Sequence, residues 1–415
     1  MSNSRPDSWT DWRWQMQNRL RDADDLRQYV HPAGDELAAI EATGEIFRWT
    51  ITPYYASLMD PDDPDCPVRR QVVPRMGEME PDIVGVVDPL DEVGHSPVKN
   101  LIHNYRDRVA FCVTSECAIY CRYCLRKRMV GDSAFMMRKD ELQQAIDYLA
   151  EHEEIRDVLL TGGDPLVFNE ANLGWLLEKL RAIPHIQVIR IGTRLPVVNP
   201  FRITDELCAL LAAHHPVWLN THYNHPKELT PEAAAACARL ADAGVPVGNQ
   251  TVLLRGINDD VATMKALVEG LVAMRVRPYY IYQAQLIGGT AHFRTPIETG
   301  MAIMRELRGH TSGFAVPTYV LDTPFGKIPL TMDYVLGRAG DHVVMRSTRG
   351  DLWAEPNPLP APDPDRGAPA GPAGMPPAGP PPLALPEIEM PEGVATIPTG
   401  AATFVPVPEG YAEVG

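Results

Sequence analysis

No stretch of the chain approaches the ~18 consecutive apolar residues that would cross a bilayer. The opening residues MSNSRPDSWTDWRWQ also lack the apolar core of a secretion signal. A cytoplasmic protein with no membrane partner is expected. Basic residues are in deficit: 38 Lys and Arg face 54 Asp and Glu, a formal charge of −16. Phosphate neutralisation needs a basic surface, so nucleic acid is not an expected partner, although a local basic run survives from Arg122 to Arg128. Cysteine is scarce and odd in number, seven in 415 residues. That suits thiolate ligands in a reducing compartment better than a secreted disulfide framework. What is present in quantity is apolar residue, 45% of the chain, enough for a substantial core.

The first hundred residues begin with a helical pattern, Trp9, Trp12, Trp14, Met16 and Leu20 among charges, and become turn-rich through MDPDDPDCPVRR. Residues 1–105 are read as a mostly helical extension. From Arg108 onward short β-branched runs alternate with amphipathic stretches. The runs are RVAFCVT, DVLLTGG, IQVIRIGTR, PVWLNTH, VPVGNQTVLL, RPYYIYQ and AVPTYVLD, and the stretches include KDELQQAIDYLAEH and TPEAAAACARLADAG. Repeated βα units of this kind predict an α/β protein with a mainly parallel sheet over 106–335. Several runs end in polar residues (Thr161, Asn220 to His222, Asn249, Gln250, Gln283 and Asp322), at the strand ends where a βα barrel builds its site. Residues 336–355 are expected to form a small β segment used in oligomerisation. Of 40 prolines, 17 fall between Pro356 and Gly415, so 356–415 is expected to be a disordered, extended tail.

Cys117, Cys121 and Cys124 lie within TSECAIYCRYCLRKR. Structural zinc asks for four ligands, usually two C-x₂-C pairs, and the second pair is missing. A [4Fe–4S] cluster on three cysteines keeps one iron open for a further ligand, so three thiols have a reason. The competing reading is incidental buried cysteines, as Cys66, Cys112, Cys208 and Cys237 look to be from their scatter. C-x₃-C-x₂-C with Tyr123 before the last cysteine resembles the radical S-adenosylmethionine superfamily. The resemblance implies that S-adenosylmethionine chelates the open iron and is cleaved reductively to a 5′-deoxyadenosyl radical. Gly162, Gly163 and Asp164 in LLTGGDPL let backbone approach a ligand after a strand and offer a carboxylate. By itself such a turn is common; in the superfamily it binds the amino group of S-adenosylmethionine.

Lys327 stands in VLDTPFGKIPL, without the spacing of a phosphate-binding Walker loop. A solvated turn lysine is the ordinary reading, and a Schiff base with an aldehyde such as pyridoxal phosphate is the chemical one. From about Trp9 to Glu355 the chain closely resembles the lysine 2,3-aminomutase family, through TDWRWQ, ITPYYASLMDPDDPDCPVRRQ, PVWLNTHYNHP, GVPVGNQTVLLRGIND, VRPYYIYQ, HFRTP and LRGHTSGFAVPT. This implies a radical S-adenosylmethionine partial (βα)6 barrel with pyridoxal phosphate on the catalytic Lys327. It also implies migration of an amino group from Cα to Cβ after hydrogen is removed from Cβ. Tyr123, His222, Gln250 and Arg108 are implied cofactor-binding residues; a flavodoxin or ferredoxin as reductant and a homo-oligomer are implied partners. Three departures stand out. The loop that carries a zinc-binding cysteine in lysine-specific members has Asp259 and Asp260 here and the tail has no cysteine, so no zinc is expected. The glycine-rich loop is shortened to PFGK. A family arginine for the cofactor phosphate is matched by Asn104, which turns attention to Arg106 or Arg108.

The resemblance puts Arg126 on the substrate carboxylate. Lysine-specific members set two carboxylates against the distal ammonium; here one is kept as Asp322 and the other is Gln285. One anion and one amide fit a planar guanidinium better than a compact ammonium, and Asp322 opposes an acidic substrate such as glutamate. An arginine 2,3-aminomutase, of the sort seen in nucleoside-antibiotic biosynthesis, is therefore favoured, with lysine the runner-up. The rival outside the class, a catalytically idle iron–sulfur or pyridoxal-binding protein, would have lost a cluster cysteine or Lys327, and all four are present.

Overall fold

The computed structural model describes residues 5–43, 47–79, 86–348, 350–357 and 384–396. Nine strands form one sheet in chain order: β1 (Leu101–Tyr105), β2 (Arg108–Thr114), β3 (Asp157–Gly162), β4 (Val188–Gly192), β5 (Val217–Thr221), β6 (Val247–Leu253), β7 (Arg277–Gln283), β8 (Thr318–Thr323) and β9 (Gly326–Pro329). Strands β2 to β8 run parallel, and an antiparallel strand closes each flank. Six helices return the chain between parallel strands: α1 (Lys139–Glu151), α2 (Glu170–Arg181), α3 (Asp205–Ala212), α4 (Pro231–Asp242), α5 (Val261–Ala273) and α6 (Ile297–Leu307). This is the expected radical S-adenosylmethionine barrel of six βα units. Side chains of Asn169, Thr204, Thr230 and Asp260 cap four of these helices, each accepting a backbone N–H of the first turn.

A fully packed parallel strand reads as continuous apolar residues, yet β6 alternates. Val247, Asn249, Thr251 and Leu253 are buried, whereas Gly248, Gln250 and Val252 keep some surface. Period-two alternation puts the second set on the inner wall, so the barrel encloses a partly open lumen. Strands β1 and β9, at opposite ends of the sheet, meet through side chains: Tyr105 Oη accepts from Lys327 N (2.7 Å) and Asn104 Nδ2 donates to Pro324 O (2.9 Å).

The N-terminal extension packs helices Trp12–Gln17, Ala23–Arg27 and Gly34–Thr43 against the barrel. Its turn-rich part is fixed by a buried pair, Arg69 Nη2 to Glu36 Oε2 at 2.6 Å. A second sheet contains β10 (Val335–Ala339), β11 (His342–Arg346), β12 (Leu352–Pro356) and β13 (Ala395–Thr396). Within the span expected as an extended tail, residues 384–396 return to this sheet: β13 pairs with β12, and Pro386 lies so close to Gly337 that a Cβ there would sit 2.5 Å from its carbonyl oxygen. The remainder of the expected tail, 358–383 and 397–415, lies outside the described residues.

Candidate active site

The three cysteines follow β2, in a loop that the next strand end holds at close range. Gly162 has φ +109°, and a Cβ on Gly163 would overlap the Glu116 carbonyl, so only glycines let the β3 turn pass under this loop. Backbone bonds from Gly163 N to Thr114 O (2.6 Å) and from Asp164 N to Glu116 O (2.7 Å) lock the contact. Burial pushes the Cys117 thiol well above its ordinary range, reinforced by the charges of Asp164, Cys124 and Cys121. Cys124 is pushed up to about 11, by burial first and Cys121 next. The Cys117 and Cys124 thiols are thus kept protonated beside one another, and bound iron would favour their thiolate forms. Among the described residues no three His, Cys, Asp or Glu side chains close around a single ion; a cubane takes one thiolate per iron and does not ask for that. Donors fit a sulfur-ligated anion: Arg194 Nη1 gives Cys121 Sγ a hydrogen bond (2.8 Å) and Arg126 N gives one to Cys124 Sγ (3.3 Å). Among the described residues the buried Nε of Arg194 has no hydrogen-bond partner.

Beside the cysteines lies a buried polar network. Tyr123 stacks on His222 with ring centroids 5.8 Å apart, its hydroxyl 3.0 Å from His222 Nε2 and within 2.6 Å of Asn224 Nδ2. Burial and the neighbouring Arg194 push the His222 pKa well below its ordinary value, so the imidazole is neutral. Gln71 Oε1 accepts from Tyr123 Oη (3.2 Å), Asn224 Nδ2 (2.9 Å) and Arg194 Nη2 (2.5 Å). Gln250 follows Asn249 on β6, on the lumen face. Asp164 faces the turn after β4: its carboxylate accepts from Thr193 Oγ1 (2.6 Å), Arg194 N (2.8 Å) and Leu166 N (3.1 Å), and burial is the main cause of its raised pKa.

Farther along the lumen wall Asp322 and Lys327 are register partners on β8 and β9, with Nζ to Oδ1 at 2.8 Å. Burial works to lower the Lys327 pKa, but Asp322 and Tyr282 outweigh it and the net direction is upward. The side chain keeps 34% of its surface open, which screens part of that effect. The Arg108 guanidinium lies over the Tyr105 ring, 3.7 Å from its centroid, and Tyr105 in turn holds the Lys327 backbone. Asn104 is committed to the turn at Pro324. Lysine, an aromatic wall and an arginine thus fit a phosphorylated aldehyde. Gln285 Nε2 donates to the Asp322 backbone carbonyl (2.9 Å). Asp259 accepts from Gly256 N (2.8 Å) and Asp260 caps α5, which accounts locally for both acids.

Arg126 brings a residue that sequence reasoning missed. Its Nε and Nη2 bind Glu92 side-on (3.1 and 2.7 Å), while Nη1 reaches Thr161 Oγ1 at the end of β3 (3.3 Å). Arg128 Nη2 shares Glu92 (3.0 Å). Arg194, Glu228, Gln71 and Asn224 were missed too; Gln71 and Asn224 sit in stretches quoted for the family resemblance, which was the available signal, whereas Arg194 and Glu228 lie outside them.

Comparison with known proteins agrees with this geometry. The model of the Radical SAM superfamily matches residues 111–268, and the Lysine-2,3-aminomutase model matches 304–366. An L-lysine 2,3-aminomutase of Fusobacterium nucleatum is 50% identical over 86% of this chain and 84% of its own. One of Clostridium subterminale is 48% identical over 85% of each chain. A glutamate 2,3-aminomutase of Clostridioides difficile is 44% identical over 84% of this chain and 83% of its own. With a barrel of this topology and likeness of this depth across most of the chain, the protein belongs to the lysine 2,3-aminomutase family of radical S-adenosylmethionine isomerases.

Proposed function

We propose that the protein moves the α-amino group of L-arginine to the β-carbon, using a [4Fe–4S] cluster, S-adenosylmethionine and pyridoxal phosphate. The observation that carries the substrate is the pairing of one carboxylate, Asp322, with one amide, Gln285, at the same point of the lumen wall. Gln285 spends an N–H on the Asp322 backbone, and its amide oxygen can accept from a cation. Carboxylate plus carbonyl matches a planar five-donor guanidinium. The names of the relatives and the retained Asp322 support L-lysine as the second reading.

In this reading Cys117, Cys121 and Cys124 would hold the cluster, and Tyr123, Gly162, Gly163, His222 and Gln250 would bind S-adenosylmethionine. Lys327 would hold pyridoxal phosphate, with Arg108 as a further binding residue. Together these groups supply a hydrogen-abstracting radical and a π system through which nitrogen can migrate. The chain's own residues bind and orient. Arg126 presents to the substrate carboxylate the end of its guanidinium that Glu92 leaves unused. Asp322 Oδ1, 2.8 Å from Nζ, takes the proton that Lys327 must give up to bond an aldehyde. Once it has passed that proton to water it is a carboxylate again, available to the substrate guanidinium. Neutral His222 and the hydroxyl of Tyr123 orient a ligand without adding charge.

Equimolar arginine and lysine in competition, with anaerobically reconstituted protein, S-adenosylmethionine and a low-potential reductant, test the substrate. Charge-assisted hydrogen bonds contribute on the order of 1.5–3 kcal/mol each, so roughly ten- to hundredfold preference for arginine is expected. A higher kcat/KM for lysine would overturn the choice of arginine and leave the lysine reading.

A further inference from the structure

We infer that Arg194 sets the reduction potential of the cluster, through the hydrogen bond its guanidinium gives Cys121. The inference rests on the reading that Cys117, Cys121 and Cys124 hold that cluster. Arg194 Nη1 lies 2.8 Å from Cys121 Sγ, and the residue is 8% exposed. Its position is over-determined. The backbone N–H is tied to Asp164 Oδ2 (2.8 Å), and Nη2 is shared among Glu228 Oε1 (2.8 Å), Gln71 Oε1 (2.5 Å) and Tyr55 Oη (3.1 Å). With Nη2 spent on that side, Nη1 is left facing the sulfur.

Glu228 does not cancel the charge. Its Oε1 also accepts from Tyr55 Oη (2.6 Å) and Gln71 Nε2 (3.3 Å), and its Oε2 accepts from Asn224 N (2.6 Å) and His225 N (2.9 Å). Five donors divide its negative charge and draw it away from the cysteine. The guanidinium stays protonated at any working pH, and the site is buried, so its field acts in a low dielectric. The step concerned is one-electron reduction of the cluster by a flavodoxin- or ferredoxin-class donor, with no proton transferred and no bond broken. The added negative charge is spread over irons and sulfurs. A cation hydrogen-bonded to a ligand sulfur stabilises the reduced form more than the oxidised one, and the potential rises. Asp164 fixes the 193–194 turn that carries Arg194, although its own charge reaches Cys117 and works in the opposite direction.

The test is a redox titration of the cluster followed by electron paramagnetic resonance, on full-length reconstituted protein. Wild type is compared with Arg194→Lys, which keeps a buried cation for Glu228, and with the double variant Arg194→Gln/Glu228→Gln, which removes both charges and leaves the net charge unchanged. At equal iron and sulfide load the double variant is expected to show at least a tenfold lower ratio of reduced to oxidised cluster at a fixed applied potential. That equals a midpoint about 59 mV more negative for a one-electron couple. Arg194→Lys should fall between the two. Coincident midpoints, a higher midpoint in the double variant, or failure of both variants to take up iron that wild type accepts would each overturn the inference. Wild-type protein that takes up no iron and sulfide refutes the cluster assignment itself, a failure visible before any variant is made.

Discussion

Glu92 is a buried acid shared by Arg126 and Arg128, and it holds Arg126 along one edge while Nη1 on the other reaches Thr161 Oγ1. Removing it should misorient Arg126, the proposed receptor for the substrate carboxylate, without touching the cysteines. Glu92→Ala is expected to raise the KM for amino acid at least tenfold with little change in iron content; unchanged steady-state kinetics would refute the role. At the cysteines, Cys117→Ala, Cys121→Ala or Cys124→Ala should each abolish reductive cleavage of S-adenosylmethionine, read as release of 5′-deoxyadenosine. In the distal pocket Gln285→Asp restores a second anion, and the arginine-to-lysine ratio of kcat/KM should fall roughly tenfold. Asp322→Ala should impair both substrates.

Between elements, the contact of β3 with the cysteine loop depends on the missing side chain of Gly163. Gly163→Ala drives a methyl into the Glu116 carbonyl, so lower iron retention after reconstitution is expected with secondary structure intact by circular dichroism. Two acids clamp the same loop from the preceding segment: Glu78 on Arg122 (2.6 Å) and Lys127 (3.3 Å), and Glu92 on Arg126 (2.7 Å). Burial pushes both carboxyls up, but their cationic partners outweigh it and both pKa values end below the ordinary 4.5. The unfolded chain then binds more protons below about pH 4.5, so the stability from these pairs is present above that pH and lost as pH falls through the lowered folded values. Thermal midpoints should drop more steeply from pH 5 to pH 3 in wild type than in Glu78→Gln/Glu92→Gln. Parallel slopes would contradict this.

Across the whole molecule, what could be read from sequence follows how local the signal is. Runs such as RVAFCVT and PVWLNTH announce β2 and β5 because β-branched residues bounded by turn formers carry their own evidence. Strands β1 (LIHNY) and β9 (GKIP) are short, polar flanks, and only their pairing defines them. β13 is two residues inside a proline-rich stretch and exists through its contact with β12. The clustering of the cysteines after β2 and the place of Lys327 beside a strand ending near Asp322 were legible from spacing and strand pattern. Glu92 was not, because 34 residues separate it from Arg126, and the network around Arg194 draws on residues from Tyr55 to Glu228 that no local pattern connects. The central claim, migration of nitrogen on arginine, is reached most directly by incubating L-arginine labelled with ¹⁵N at the α-amino group with reconstituted protein, S-adenosylmethionine and reductant under anaerobic conditions, and locating the label by NMR. An isomer of unchanged mass with ¹⁵N on the β-carbon is expected. Recovery of arginine with all its label on Cα, under conditions in which lysine is isomerised, would contradict it.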